Sequence, residues 1–80
     1  MSEFEEVLHL LEELQEESSV PKNIRAKLIT VSNVLSGDLE VSIKIDKVMQ
    51  ILDDIQEDNS LPSYLRSNIW NIVSSLESFN

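Results

Sequence analysis

The feature that most constrains the fold of this chain is a short segment that occurs twice. The first copy reads Val20-Pro21-Lys22-Asn23-Ile24-Arg25, and the second, 41 positions later, reads Leu61-Pro62-Ser63-Tyr64-Leu65-Arg66. Each copy follows an acidic segment that contains a glutamine, and each opens a run of apolar residues at helical spacing. Because proline lacks an N–H and disfavours helix in the residue before it, each copy predicts the end of one helix and the start of another.

The same offset relates the apolar positions on both sides of each proline. The matching pairs are Val7/Val48, Leu11/Leu52, Ile24/Leu65, Leu28/Ile69, Val31/Ile72 and Leu35/Leu76. Two equal hairpins that cannot each bury an apolar face alone are expected to pack on each other. The sequence therefore predicts an all-α fold, a four-helix up-and-down bundle built from a duplicated helical hairpin. We expect one domain over residues 1–80, with repeats at about 2–37 and 38–80.

Local signals predict where each helix begins and ends. We expect helices over residues 2–17, from Pro21 to a cap at Gly37, from Leu39 to Glu57, and from Pro62 onward. Pro21 suits the first turn of its helix, where its missing N–H is harmless. Gly37, the only glycine, stands where a C-terminal cap is expected, and Asp38 is a plausible N-cap for the third helix.

Composition excludes several classes of function. The chain has six basic and fifteen acidic residues, a net charge of −9 and no cysteine. Phosphate backbones and anionic lipids are bound by Lys and Arg, so neither nucleic acid nor membrane is an expected partner. No apolar run approaches the ~20 residues that span a bilayer, and no signal peptide is recognisable. We therefore expect a cytoplasmic protein.

The repeated motif resembles that of a known family. An acidic amphipathic helix, then V-P-x-x-I-R, then a second hairpin containing L-P-x-x-L-R is similar to the small archaeal proteins grouped as uncharacterised protein family 0147. The resemblance covers nearly the whole chain. It implies a compact four-helix bundle in an archaeal cytoplasm, and it implies no activity.

Five residues are candidates for partner binding: Arg25, Ile29, Arg66, Trp70 and Val73. At 100° per residue, Ile29 and Trp70 each lie about 140° from the first residue of their apolar stripe. Either they form an exposed apolar patch for self-association or a protein partner, or they widen the arc that packs on two neighbouring helices. The two arginines, at equivalent positions, either hold an acidic ligand or pair with a carboxylate of the neighbouring helix.

The acidic residues suggest an alternative function. Glu16, Glu17, Glu57 and Asp58 are expected to gather at the end of the bundle that carries both prolines. Such a cluster either binds a cation or a basic partner, or serves solubility and the helix dipoles. Our leading hypothesis is a protein-interaction or scaffold module that uses helices two and four, and the alternative is an acidic cation-binding protein.

Nothing in the sequence indicates an enzyme or a cofactor. Glu6 and His9 have the Glu-x-x-His spacing of di-iron bundles, but the equivalent positions in the second repeat are Lys47 and Gln50. His9 is therefore interpreted as a solvated side chain. No serine has a base near it in the sequence, and a single glycine cannot form a phosphate-binding loop.

Overall fold

The computed structural model describes residues 4–79, which form four α-helices and no β-strand. The helices are α1 (Glu5–Gln15), α2 (Lys22–Ser36), α3 (Val41–Gln56) and α4 (Ser63–Glu77). The all-α, four-helix prediction is confirmed, although residues 2 and 3 of the predicted first helix lie outside the described range. Within that range, no helix has both the length and the apolar character that a bilayer crossing requires.

The core consists of the apolar stripes that face one another across the helices. Nineteen buried apolar side chains form a single cluster: Phe4, Val7, Leu11, Leu14, Val20, Ile24, Leu28, Val31, Leu35, Ile45, Val48, Leu52, Ile55, Leu61, Leu65, Ile69, Ile72, Val73 and Leu76. No polar or charged side chain is buried among the described residues. Burying one large aliphatic side chain stabilises the fold by about 1.5–3 kcal/mol, so this cluster is the main source of stability.

The two proline turns have the same backbone conformation. Pro21 has φ −58° and ψ 149°, and Pro62 has φ −64° and ψ 150°. Each proline carbonyl accepts the first helical hydrogen bond, from the N–H groups of Arg25 (2.9 Å) and Arg66 (3.1 Å). The prolines are thus N-caps, because their extended ψ keeps them outside the helix. Each helix therefore begins one residue later than predicted, at Lys22 and at Ser63. Val20 lies outside the helix, as predicted.

The turn between α2 and α3 is longer than predicted. Gly37 is the C-cap of α2, but its backbone is extended (φ −78°, ψ −168°) rather than left-handed. The prediction that Asp38 caps α3 is wrong, because Glu40 is the N-cap and its carbonyl accepts from Lys44 N–H at 2.9 Å. The Lys44 ammonium also donates to the Leu35 carbonyl at 3.0 Å, which ties the start of α3 to the end of α2.

Contacts between distant segments link the two halves of the chain. At the proline turns, the hydroxyls of Ser19 and Tyr64 are hydrogen-bonded, and the Asn23 amide donates to Asp58 at 2.7 Å. The rings of Phe4 and Phe79, which flank the start of α1 and the end of α4, pack edge to face 4.9 Å apart. The up-and-down order and the origin by duplication stay predictions, for which these contacts and the matching proline turns are supporting observations.

Candidate interaction face on the fourth helix

Arg25 closes the C-terminus of the preceding helix. From the first turn of α2 its Nε donates to the Gln15 carbonyl at 3.0 Å, and its Nη2 donates to the Glu17 carbonyl at 2.7 Å. The last carbonyls of a helix have no intrahelical donor, and a cation there also offsets the negative end of the helix dipole. Arg25 is half-buried and uses two of its five guanidinium N–H groups in these bonds.

Arg66 repeats this interaction less completely. Its Nη1 donates to the Gln56 carbonyl at 2.7 Å, and that carbonyl is the one hydrogen-bond partner of the guanidinium within residues 4–79. A guanidinium has five N–H donors, so most of this exposed group remains available. The sequence suggested that each arginine binds a carboxylate of a ligand or a neighbouring helix. Within the described residues, both instead bind backbone carbonyls.

A groove beside Arg66 contains the most exposed large apolar side chain of the described residues. Trp70 is 61% exposed and lies one helical turn after Arg66. The groove, called the Trp70 groove below, is lined by Gln56 at the end of α3 and by Ser63, Arg66, Ser67, Trp70 and Asn71 of α4. An apolar ring, one cation and four uncharged polar side chains thus share one open surface.

The structure separates the other predicted residues from this groove. Ile29 is 42% exposed, but it follows Arg25 by one turn on the face of α2 that is directed towards α1. Trp70 and Arg66 lie on the face of α4 that is directed towards α3. Ile29 is therefore not among the residues that line the Trp70 groove. Val73 is only 7% exposed and belongs to the core, so it is not available to a partner.

Sequence reasoning missed the polar lining of the groove. Ser63, Ser67 and Asn71 form one i,i+4 row of α4, beside the row that contains Arg66 and Trp70. The available signal was the scarcity of charge in α4. Between Ser63 and Leu76, Arg66 is the only charged residue, although 26% of the whole chain is charged.

Of the four acidic residues predicted to gather near the prolines, Asp58 has hydrogen bonds to side chains and backbone of the described residues. One Asp58 oxygen accepts from the Ser60 backbone N–H (2.8 Å) and hydroxyl (2.6 Å), and the other accepts from Asn23. These hydrogen bonds, led by those from Ser60, lower the pKa of Asp58 below its usual 3.8, since they favour the charged form. The interactions of this carboxylate hold the turn together and link it to α2.

The described residues offer little support for a metal centre. No three His, Cys, Asp or Glu side chains between residues 4 and 79 are arranged to hold a metal ion. The His9 side chain is 76% exposed, and its Nε2 lies 3.9 Å from a carboxylate oxygen of Glu13 rather than of Glu6. The interpretation of His9 as a solvated residue agrees with this position.

The chain is similar to proteins whose function is not known. The model of an uncharacterised protein family (UPF0147) matches residues 1–79. A solved structure described as the crystal structure of unknown function protein MMP1188 is similar, with a TM-score of 0.90 and 37% sequence identity. The similarity covers 98% of this chain and 90% of that one. Among curated proteins, none matches the chain.

Proposed function

This chain belongs to the uncharacterised protein family (UPF0147), and from that premise we propose that it is a small cytoplasmic protein-interaction module with a binding rather than a catalytic role. Its partner is a protein, and it binds at the Trp70 groove. The observation that carries the proposal is the 61% exposure of Trp70 beside the open guanidinium of Arg66. The description of the family names no activity, so the proposal depends on this surface.

The composition of the groove favours a protein partner. The central parts of protein interfaces are enriched in Trp and Arg and depleted in other charged residues, and truncation of such anchors weakens binding most. The Trp70 groove has this character, within a chain whose net charge is −9. A solvent-exposed indole contributes little to the stability of the monomer, because its apolar area stays in contact with water.

The test is a pull-down from native lysate with tagged protein. Trp70→Asp is compared with wild type and with Ile29→Asp, which places the same charge at the equivalent exposed position of α2. We expect a protein that co-purifies with wild type and Ile29→Asp but not with Trp70→Asp. All three proteins must show the same cooperative melt, so that lost capture reports on the surface.

Three outcomes would contradict the proposal. One is empty lanes for wild type, and another is capture that is equal for all three proteins. The third is capture of an untagged second copy of this chain alone, which would replace partner binding with self-association.

A further inference from the structure

We propose that the partner presents a segment with a single internal Asp or Glu next to an apolar side chain. The carboxylate binds Arg66, and the apolar side chain packs on the ring of Trp70. This inference rests on the proposed function, since it names the chemistry of the partner that the Trp70 groove recognises.

Arg66 makes the groove selective for a carboxylate. It is the only charged residue that lines the groove, so the one charge inside the groove is positive. Its hydrogen bond to the Gln56 carbonyl holds the guanidinium in place while leaving other N–H donors for a ligand. A planar guanidinium can bind both oxygens of one carboxylate, and such charge-assisted pairs are stronger than neutral hydrogen bonds.

The first repeat shows a less accessible version of this site. Arg25 donates to two backbone carbonyls and is half-buried, and Ile29 stands where the second repeat has Trp70. Arg66 donates to one carbonyl and is exposed. The two positions share a motif and a local fold. The second repeat differs in the greater exposure of its arginine, in its single carbonyl partner and in its aromatic ring.

The dimensions of α4 favour a peptide segment over a second copy of the chain. Fifteen residues give a helix of about 22 Å, and a strip about 10 Å wide along it offers only a few hundred Å². A stable interface buries about 800 Å² on each partner, so an isologous dimer on this strip alone falls short. The row of Ser63, Ser67 and Asn71 can instead hydrogen-bond to the backbone of a bound segment.

The acidic residues near the groove disfavour a segment with several carboxylates. Charges interact over a Debye length of about 8 Å at physiological ionic strength. Asp53 and Asp54 of α3 and its C-cap Glu57 are close in sequence to Gln56, which lines the groove. A strongly acidic partner would be repelled by these residues. A single carboxylate is repelled less than several would be, and it can pair with Arg66 at hydrogen-bond distance.

The experiment uses three arrays of immobilised peptides probed with labelled full-length protein. The first array has capped peptides with a central Asp or Glu between all pairs of flanking residues. The second replaces the central residue with Asn or Gln, and the third has a free C-terminal carboxylate and no internal acid. The variants are Arg66→Gln and Trp70→Ser, and the matched controls are Arg25→Gln and Ile29→Ser.

We expect wild type to bind a subset of the first array, with apolar residues beside the acid. Binding to the amide counterparts should be weaker by about tenfold to a hundredfold, the range that one charge-assisted hydrogen bond contributes. Arg66→Gln and Trp70→Ser should lose this binding, while folded controls keep it. Arg66→Lys, which keeps the charge without the planar fork, should bind more weakly than wild type.

The inference is overturned if the acid and amide arrays bind equally, if Arg66→Gln binds as wild type does, or if no peptide of the first array is bound. Preference for the third array would assign the site to a chain terminus and also overturn it. If the pull-down yields a Trp70-dependent partner in any of these cases, the proposed function stands and only the chemistry of the partner is wrong.

Discussion

Replacing each arginine of the repeated motif with methionine tests how the two proline turns are stabilised. Arg25→Met removes two hydrogen bonds, one to the last carbonyl of α1 and one to a carbonyl of the following turn, and Arg66→Met removes one, to the last carbonyl of α3. Methionine keeps an apolar stem of similar length, so the loss is mainly that of the guanidinium. Lys22→Met is the control, because this exposed cation has no hydrogen bond or ion pair within residues 4–79.

The expected magnitudes follow from the number of bonds. Each hydrogen bond contributes about 0.5–1.5 kcal/mol net, and a cation at a helix C-terminus contributes about 0.3–1 kcal/mol. We therefore expect Arg25→Met to lower the free energy of unfolding by about 2 kcal/mol and Arg66→Met by about 1 kcal/mol. Lys22→Met should stay within about 0.5 kcal/mol of wild type.

The assay is urea unfolding followed by circular dichroism at a helical wavelength, with thermal unfolding as a second measurement. For a domain of this size, about 1 kcal/mol corresponds to roughly 4–8 °C in Tm. The m-values should be unchanged, so that shifts in midpoint report on stability alone. The reasoning is refuted if Arg66→Met costs as much as Arg25→Met, or if both match Lys22→Met.

Four further results are expected. Leu11→Ala, at a fully buried position, should cost about 2–5 kcal/mol in urea unfolding, whereas Trp70→Ala should stay within about 0.5 kcal/mol. Because the pKa of Asp58 is lowered in the folded state, its stabilising effect is present above pH 3.8 and is lost as the pH falls through the lower folded value. Asp58→Asn should remove that acid-side dependence in urea midpoints measured between neutral and strongly acidic pH. Gly37→Ala should raise the free energy of unfolding by about 0.4–1 kcal/mol, because alanine restricts the unfolded chain more than glycine does. The folded state accepts alanine, since φ is −78° and an added Cβ would lie 3.4 Å from two carbonyl oxygens, an ordinary van der Waals contact. Calorimetric titration with Ca²⁺, Mg²⁺ or Zn²⁺ at millimolar concentration should give no binding heat, because no three ligating side chains converge within residues 4–79.

The helices and their buried stripes could be predicted because apolar residues at helical spacing mark the face that a helix buries. Leu28 and Ile69, at equivalent places in the two repeats, are both fully buried. The α2–α3 turn was harder, because capping preferences are local and weak. In the structure, α3 begins at Val41 rather than next to Asp38, and the Lys44 ammonium donates to the Leu35 carbonyl across this turn.

The candidate site was predicted only in part, and each error has a physical reason. The angle of Trp70 from the apolar stripe indicated that it could lie off the core, which agrees with its exposure. Val73 lies nearer the stripe, and a helix packed on its neighbours buries a wider arc than the stripe alone. The partners of the arginines are backbone carbonyls, which the identity of the side chains does not reveal.

The most direct test of the central claim is a chemical-shift map of uniformly ¹⁵N-labelled protein, titrated with the best peptide of the first array. Trp70 is the only tryptophan, so its indole N–H gives one assignable probe of the groove. We expect shifts at that indole, at the Arg66 side chain and at backbone amides of α4 around Ser67 and Asn71. Shifts confined to α2 around Ile29, or to the acidic turns, would contradict it.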